Sequence, residues 1–131
     1  MTISRDINLL KPILKEFTLA AIKISDDNEL GMKVFETVRT KDRQKKIVNN
    51  GNSKTMKTKH FTGEAVDFVY HDEKGWSWFD KNENRDSQEL LYIKECYMEF
   101  GKLCKEYIAK NNLPIVWGGD WGWDFAHWQT K

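Results

Sequence analysis

The residue that most restricts how this chain can fold is Asp67, set inside the apolar run Ala65-Val66-Asp67-Phe68-Val69-Tyr70. The run reads as a strand, with Ala65, Asp67 and Val69 on one face. A carboxylate in such a place costs free energy unless something pairs with it, so the fold has to bring a partner to it. His60 lies seven positions upstream with Gly63 between, and a glycine there lets the backbone reverse so that a histidine leaving a loop and an aspartate in a strand converge. Near the end of the chain stands Asp124-Phe125-Ala126-His127. Two imidazoles and two carboxylates suffice for a three-ligand zinc site, His60, Asp67 and His127, with Asp124 left over as a base.

Each residue also has a plainer reading. A lone histidine in a small domain is most often a surface or satisfied core residue, and His71, in a charged stretch, is read so. Asp67 can cap a nearby backbone N–H, and Asp124 can be a turn residue. Arg39 can pair with Glu36 or a surface carboxylate; its functional reading is a cation that polarises a carbonyl.

The 131 residues predict one domain without a separate wall-binding module, large enough for a core without disulfides. Cys96 and Cys104, eight apart in a helical pattern, would lie about 12 Å from each other, too far to bond, and read as reduced packing residues. With 40% hydrophobic and 31% charged residues the composition is globular, and a net charge of +1 argues against nucleic-acid binding through Lys41–Lys46 and Lys54–Lys59. No stretch resembles an export signal or a membrane span. Four of the six tryptophans fall in the last fifteen residues, which suits either a dense core corner or an aromatic-lined cleft.

In chain order, Ile7, Leu9 and Leu10 suggest a short turn, and Pro12 opens a helix with Ile13, Leu14, Phe17, Ala20, Ala21 and Ile24 on its buried face. Lys33–Thr40 reads as a strand with Phe35, Thr37 and Arg39 on one face. Thr40 caps a short helix through Val48, and Gly51–Lys59 is a polar loop. His71–Asp86 reads as a loop with embedded aromatics; it is acidic but has no recognisable calcium-loop pattern. Ser87–Lys110 is the clearest helix, and Ile115-Val116-Trp117 a short strand running into the turn Gly118–Gly122.

Thr58-Lys59-His60-Phe61-Thr62-Gly63-Glu64-Ala65-Val66-Asp67 resembles the S-x-H-x-x-G-x-A-x-D signature of the M15 zinc peptidases, which include D-alanyl-D-alanine carboxypeptidases and phage L-alanyl-D-glutamate endopeptidases. The resemblance continues, in the expected order, through Arg39-Thr40 with Gln44, Trp117-Gly118-Gly119-Asp120-Trp121 and Asp124-x-x-His127. Thr58 stands in place of the usual serine, and Ala126 where many relatives have proline. The Asp-x-x-His form and the Trp-Gly-Gly-Asp-Trp run look more like the phage endolysin branch.

The resemblance implies an α+β domain, a small mainly antiparallel sheet flanked by helices, of the kind seen in hedgehog and D-alanyl-D-alanine peptidase domains. It implies zinc on His60, Asp67 and His127, Asp124 as general base, and Arg39 on the substrate carbonyl. Gln44, Thr58 and Trp121 would shape the substrate site. The expected substrate is the stem peptide of peptidoglycan, cut by a monomer that is made in the cytoplasm and acts on the wall once the membrane is breached. The lysines at 41, 45, 46, 54, 57 and 59 would then meet an anionic wall, or simply form a solvated face. A D-alanyl-D-alanine carboxypeptidase and a non-catalytic wall-binding module are the competing expectations.

Overall fold

The computed structural model describes residues 3–51, 58–79 and 87–131. Three helices, α1 (Pro12–Asp27), α2 (Lys41–Asn49) and α3 (Gln88–Lys110), accompany five strands, β1 (Met32–Glu36), β2 (Ala65–Asp72), β3 (Gly75–Ser77), β4 (Ile115–Trp117) and β5 (His127–Thr130). The strands form an antiparallel sheet in the order β1-β2-β5-β4, and β3 pairs with the far end of β2. This is the expected α+β architecture.

α1 starts at Pro12, whose missing N–H costs nothing in a first turn, and buries Leu14, Phe17 and Ala21 at helical spacing. α3 buries Ile93, Tyr97, Phe100 and Cys104 in the same way. Both helices cover one face of the sheet: Phe68 lies 5.0 Å from Phe100, and Trp128 lies 5.1 Å from Phe17, between ring centroids. Trp117 stacks on Trp128 at 5.5 Å and closes the core below β4. Cys96 and Cys104 are both buried and unbonded, as their spacing requires. Among the described residues, no helix is long and apolar enough to cross a membrane.

Three expectations are corrected. The strand read as Lys33–Thr40 ends at Glu36, and its register with β2 slips between Val34 and Glu36. That bulge breaks the simple alternation, and Glu36 and Thr37 are both buried. The stretch from His71, read as a loop, carries β2 on to Asp72 and turns back through β3, with the open side chain of Asp72 holding the Lys74 amide in the turn. Its aromatics pack back, Phe79 onto Phe125 and Trp76 onto His71 and Phe35, while residues 80–86 lie outside the described region. Finally, His127 opens a strand, β5, where the sequence reading placed none. Of the polar loop before His60, residues 52–57 are likewise outside the described region, and Lys54 and Lys57 with them.

The Thr40 cap forms as expected, accepting from the Arg43 amide. Ser87 precedes α3 without making a side-chain cap.

Candidate metal centre and catalytic site

The register of the sheet builds the site. Glu36 on β1 is opposite Asp67 on β2, and Asp67 is opposite His127 on β5. Directly opposed residues on adjacent strands share a face with Cβ atoms about 5 Å apart, so three polar side chains line up across the sheet on the face away from α1 and α3. His60 joins them from a single 3-10 turn, Lys59–Thr62, that ends on Gly63 at φ 74°. A side chain at Gly63 would be strained by that backbone and would press on the Leu9 carbonyl at 2.7 Å, so the turn needs glycine.

His60, Asp67 and His127 are all buried, and their ligand atoms lie within 4.8 Å of one another. The Nδ1 of His60 donates to the Thr37 carbonyl at 2.6 Å, because a carbonyl only accepts, and this leaves Nε2 as the nitrogen that faces the site. That Nε2 is buried without a hydrogen-bond partner, 3.4 Å from Asp67 Oδ1. His127 turns Nε2 to Gln129 Oε1 at 2.9 Å and Nδ1 to Asp67 Oδ1 at 3.1 Å. Two imidazole nitrogens and a carboxylate oxygen thus converge, each imidazole oriented by a second partner, and this donor set fits a divalent cation that accepts nitrogen and oxygen. Among the described residues, the group that could hold a metal is the three that the sequence singled out.

Charge shapes the titration of the group. Burial pushes the Asp67 carboxyl up, but the facing His60 and His127 imidazoles prevail and hold it well below the usual carboxylate range. Burial depresses His127, and the hydrogen bond and charge of Asp67 more than reverse this, so its pKa is raised. Asp124 is pushed up to about 6, first by burial and then by the negative charge of Asp67, with His127, His60 and Arg39 opposing.

Asp124 reaches the site from the segment between β4 and β5. Its amide donates to the Gly118 carbonyl, and its own carbonyl accepts from the His127 amide. The backbone of Asp124 passes directly over Gly118, where a Cβ would collide with the Asp124 carbonyl oxygen. Gly118 thereby sets how close Asp124 comes.

Arg39 lies on the β1 side, its guanidinium donating to Glu36 Oε1 at 2.7 Å and to Gln44 Oε1 at 2.7 Å, 3.6 Å from Asp67 Oδ2. The Glu36 contact of the plainer reading is real, but Glu36 is buried, not a surface group, and it also receives Arg43 Nε at 3.1 Å. Two buried carboxylates, Glu36 and Asp67, thus face two guanidiniums, which makes this side of the site a cluster of oriented ion pairs. Gln44, buried on α2, accepts from Arg39, and Thr58 accepts from the His60 amide at 3.2 Å, so each contacts a neighbour of the group. The Trp121 ring lies 5.7 Å from that of His127 on the opposite side. His71 is exposed, its ring 4.4 Å from that of Trp76 and tilted to it by 50°, and is not one of the three grouped residues.

The sequence reading offered Glu36 as a partner of Arg39 but missed that Arg43 shares it, and missed Gln129 as the outer partner of His127. A glutamate in a strand three residues before an arginine was the available signal for the Arg39 pair; Gln129 offered none until β5 was seen.

The family described as phage L-alanyl-D-glutamate peptidase matches residues 2–127. The chain belongs to that family. It is 29% identical over 117 residues to the L-alanyl-D-glutamate peptidase of Listeria phage A118, covering 88% of this chain and 35% of that protein. The chain thus spans about a third of the length of that relative. The crystal structure of the Serratia marcescens L-Ala D-Glu endopeptidase ChiX superposes with a TM-score of 0.61 at 24% identity, over 99% of this chain and 89% of that one, a likeness of fold.

Proposed function

We propose that this domain is a zinc-dependent endopeptidase that hydrolyses the L-alanyl-D-glutamate bond in the stem peptide of peptidoglycan, as a phage-type lytic enzyme acting on the wall. The observation that carries this reading is the buried His60, Asp67 and His127 group with the high-pKa carboxyl of Asp124 beside it, in a chain of the phage L-alanyl-D-glutamate peptidase family. Zinc held by His60, Asp67 and His127 supplies a Lewis acid and acidifies water to a pKa of about 7.

The rest is the work of the chain. Asp124 takes a proton from the attacking water as the new C–O bond forms at the alanyl carbonyl carbon. It then delivers that proton to the glutamate nitrogen as the C–N bond breaks, which requires a pKa near the working pH. Arg39 holds the carbonyl oxygen and stabilises the charge that develops there, with Glu36 and Gln44 keeping its guanidinium in place before substrate arrives. Thr58 sets the turn that aims His60.

The test is digestion of purified peptidoglycan by wild type, Asp124→Ala and His127→Ala, after chelation and after zinc is restored, with mass spectrometry of the fragments. The expected result is zinc-dependent release of peptides beginning at glutamate, with Asp124→Ala inactive yet still binding metal. Release of terminal D-alanine instead would make the domain a carboxypeptidase. Zinc binding without any fragment would make it a wall-binding module.

A further inference from the structure

Of the four tryptophans near the chain end, Trp117 and Trp128 are buried in the core, whereas Trp121 and Trp123 remain 43% and 65% exposed. The exposed pair is built deliberately. Gly119 leaves room for the Trp117 ring, Gly122 takes φ 86°, and Lys105 pins Asp120 at 2.8 Å, so the turn sends one indole inward and two outward. The two outer rings lie 5.8 Å apart at 35° and form a continuous apolar ledge that begins 5.7 Å from His127. Neither is needed by the core, and two indoles facing water on one short turn are an unfavourable arrangement unless something covers them.

The site is also polarised across the sheet. Arg39 and Arg43 lie on the β1 side, and Trp121 and Trp123 lie beyond β5, at the β4 end of the order β1-β2-β5-β4. A stem peptide has matching polarity. Its D-glutamate carries a free carboxylate, a group that guanidinium donors such as those of Arg39 and Arg43 recognise. Its L-alanine is joined through a lactyl group to a muramic acid sugar, which presents an apolar, CH-lined pyranose face. One extended residue covers about 3.4 Å, so with the lactyl link the sugar ring falls about 8–10 Å from the bond that is cut. The ledge, two rings 5.8 Å apart that begin 5.7 Å from His127, spans a comparable distance.

We propose that Trp121 and Trp123 form a saccharide subsite that stacks the muramic acid ring attached to the stem peptide, so that the enzyme works on glycan-linked peptide in preference to free peptide. This rests on the peptidase reading above and names the part of the substrate held on the alanine side of the bond. An indole face is electron-rich and a pyranose CH face is weakly positive, so the two attract beyond the area they bury.

The experiment compares cleavage of N-acetylglucosaminyl-N-acetylmuramyl-tripeptide with the same tripeptide carrying no sugar, for wild type, Trp123→Ala and Trp123→Phe. A parallel titration follows intrinsic tryptophan fluorescence with the sugar-bearing tripeptide and with the disaccharide alone. Stacking of one ring predicts that wild type favours the sugar-bearing substrate by about three- to tenfold in kcat/KM. Trp123→Ala should narrow that ratio toward one, and Trp123→Phe should restore part of it. Equal cleavage of both substrates by wild type, or a ratio that Trp123→Ala leaves in place, would overturn the subsite and leave the peptidase reading standing. If neither substrate is cut, the peptidase reading fails, and the titration still decides. Saturable quenching by the disaccharide that Trp123→Ala weakens supports the ledge as a sugar site, and no such quenching refutes it.

Discussion

The two faces of the central sheet are made by alternate residues of the same strands, yet they are held by different physics. On β2, Val66 and Phe68 turn toward α1 and α3, and Trp128 of β5 joins them. Between them, Asp67 and its neighbour His127 turn the other way, beside Glu36. The first face is stable because water is excluded from apolar surface. The second buries charges that water would have solvated, and it is tolerable only because each charge meets a counter-charge or a ligand. One face costs only the entropy of ordering, while the other groups side chains that could hold a metal ion.

Removing Asp124, the proposed base, should separate the faces most sharply. Asp124→Asn is expected to lower kcat on peptidoglycan by about 10²–10⁴-fold, with zinc content of the purified protein unchanged. A variant that retained its rate would move the base elsewhere.

Phe68→Ala and Glu36→Gln form a matched pair. Emptying the core position should cost about 3–5 kcal/mol in denaturant unfolding, and removing the buried anion that holds two guanidiniums should cost about as much. The difference should appear in the rate: at equal folded protein, Phe68→Ala keeps the wild-type kcat and Glu36→Gln loses much of it, because Arg39 is no longer held. Equal kcat values for the two would erase the distinction between the faces.

A smaller change probes position alone. Gly118→Ala puts a methyl group against the backbone of Asp124 and should displace it, for a loss of about 10²-fold in kcat. Metal binding, which does not use Asp124, should survive.

The mildest effect is that of pH. Asp124 accepts a proton only as a carboxylate, and burial together with the charge of Asp67 holds its pKa up at about 6. Activity should therefore rise with pH through about 6 and fall roughly tenfold per unit below it. An acid limb near the ordinary carboxylate value would mean that Asp124 is better solvated in the working enzyme than in this structure.

Much of this was legible from residue order. His60, Asp67, His127 and Asp124 stand out because a histidine before a glycine, an aspartate in an apolar run and an Asp-x-x-His pair are costly choices without a shared purpose, and the structure brings the first three within 4.8 Å. The helices were legible because their apolar positions recur at 3.6-residue spacing over many turns. The misses share a cause. β3 and β5 are three and four residues long, too short to show a period, and exist through pairing with β2. The bulge before Glu36 likewise belongs to the partner strand as much as to its own.

The sequence by itself singled out the three residues that the fold groups as possible metal ligands, how many helices flank the sheet, and that a buried carboxylate at position 67 would need company. Tertiary structure alone decided who that company is: Glu36 and His127 flank Asp67 because of register, a relation between residues 31 and 60 positions away. It also decided that Trp117 and Trp128 go inward while Trp121 and Trp123 face solvent. Four identical side chains have the same intrinsic preference for burial, and only the path of the turn through Gly119 and Gly122 assigns them to opposite sides.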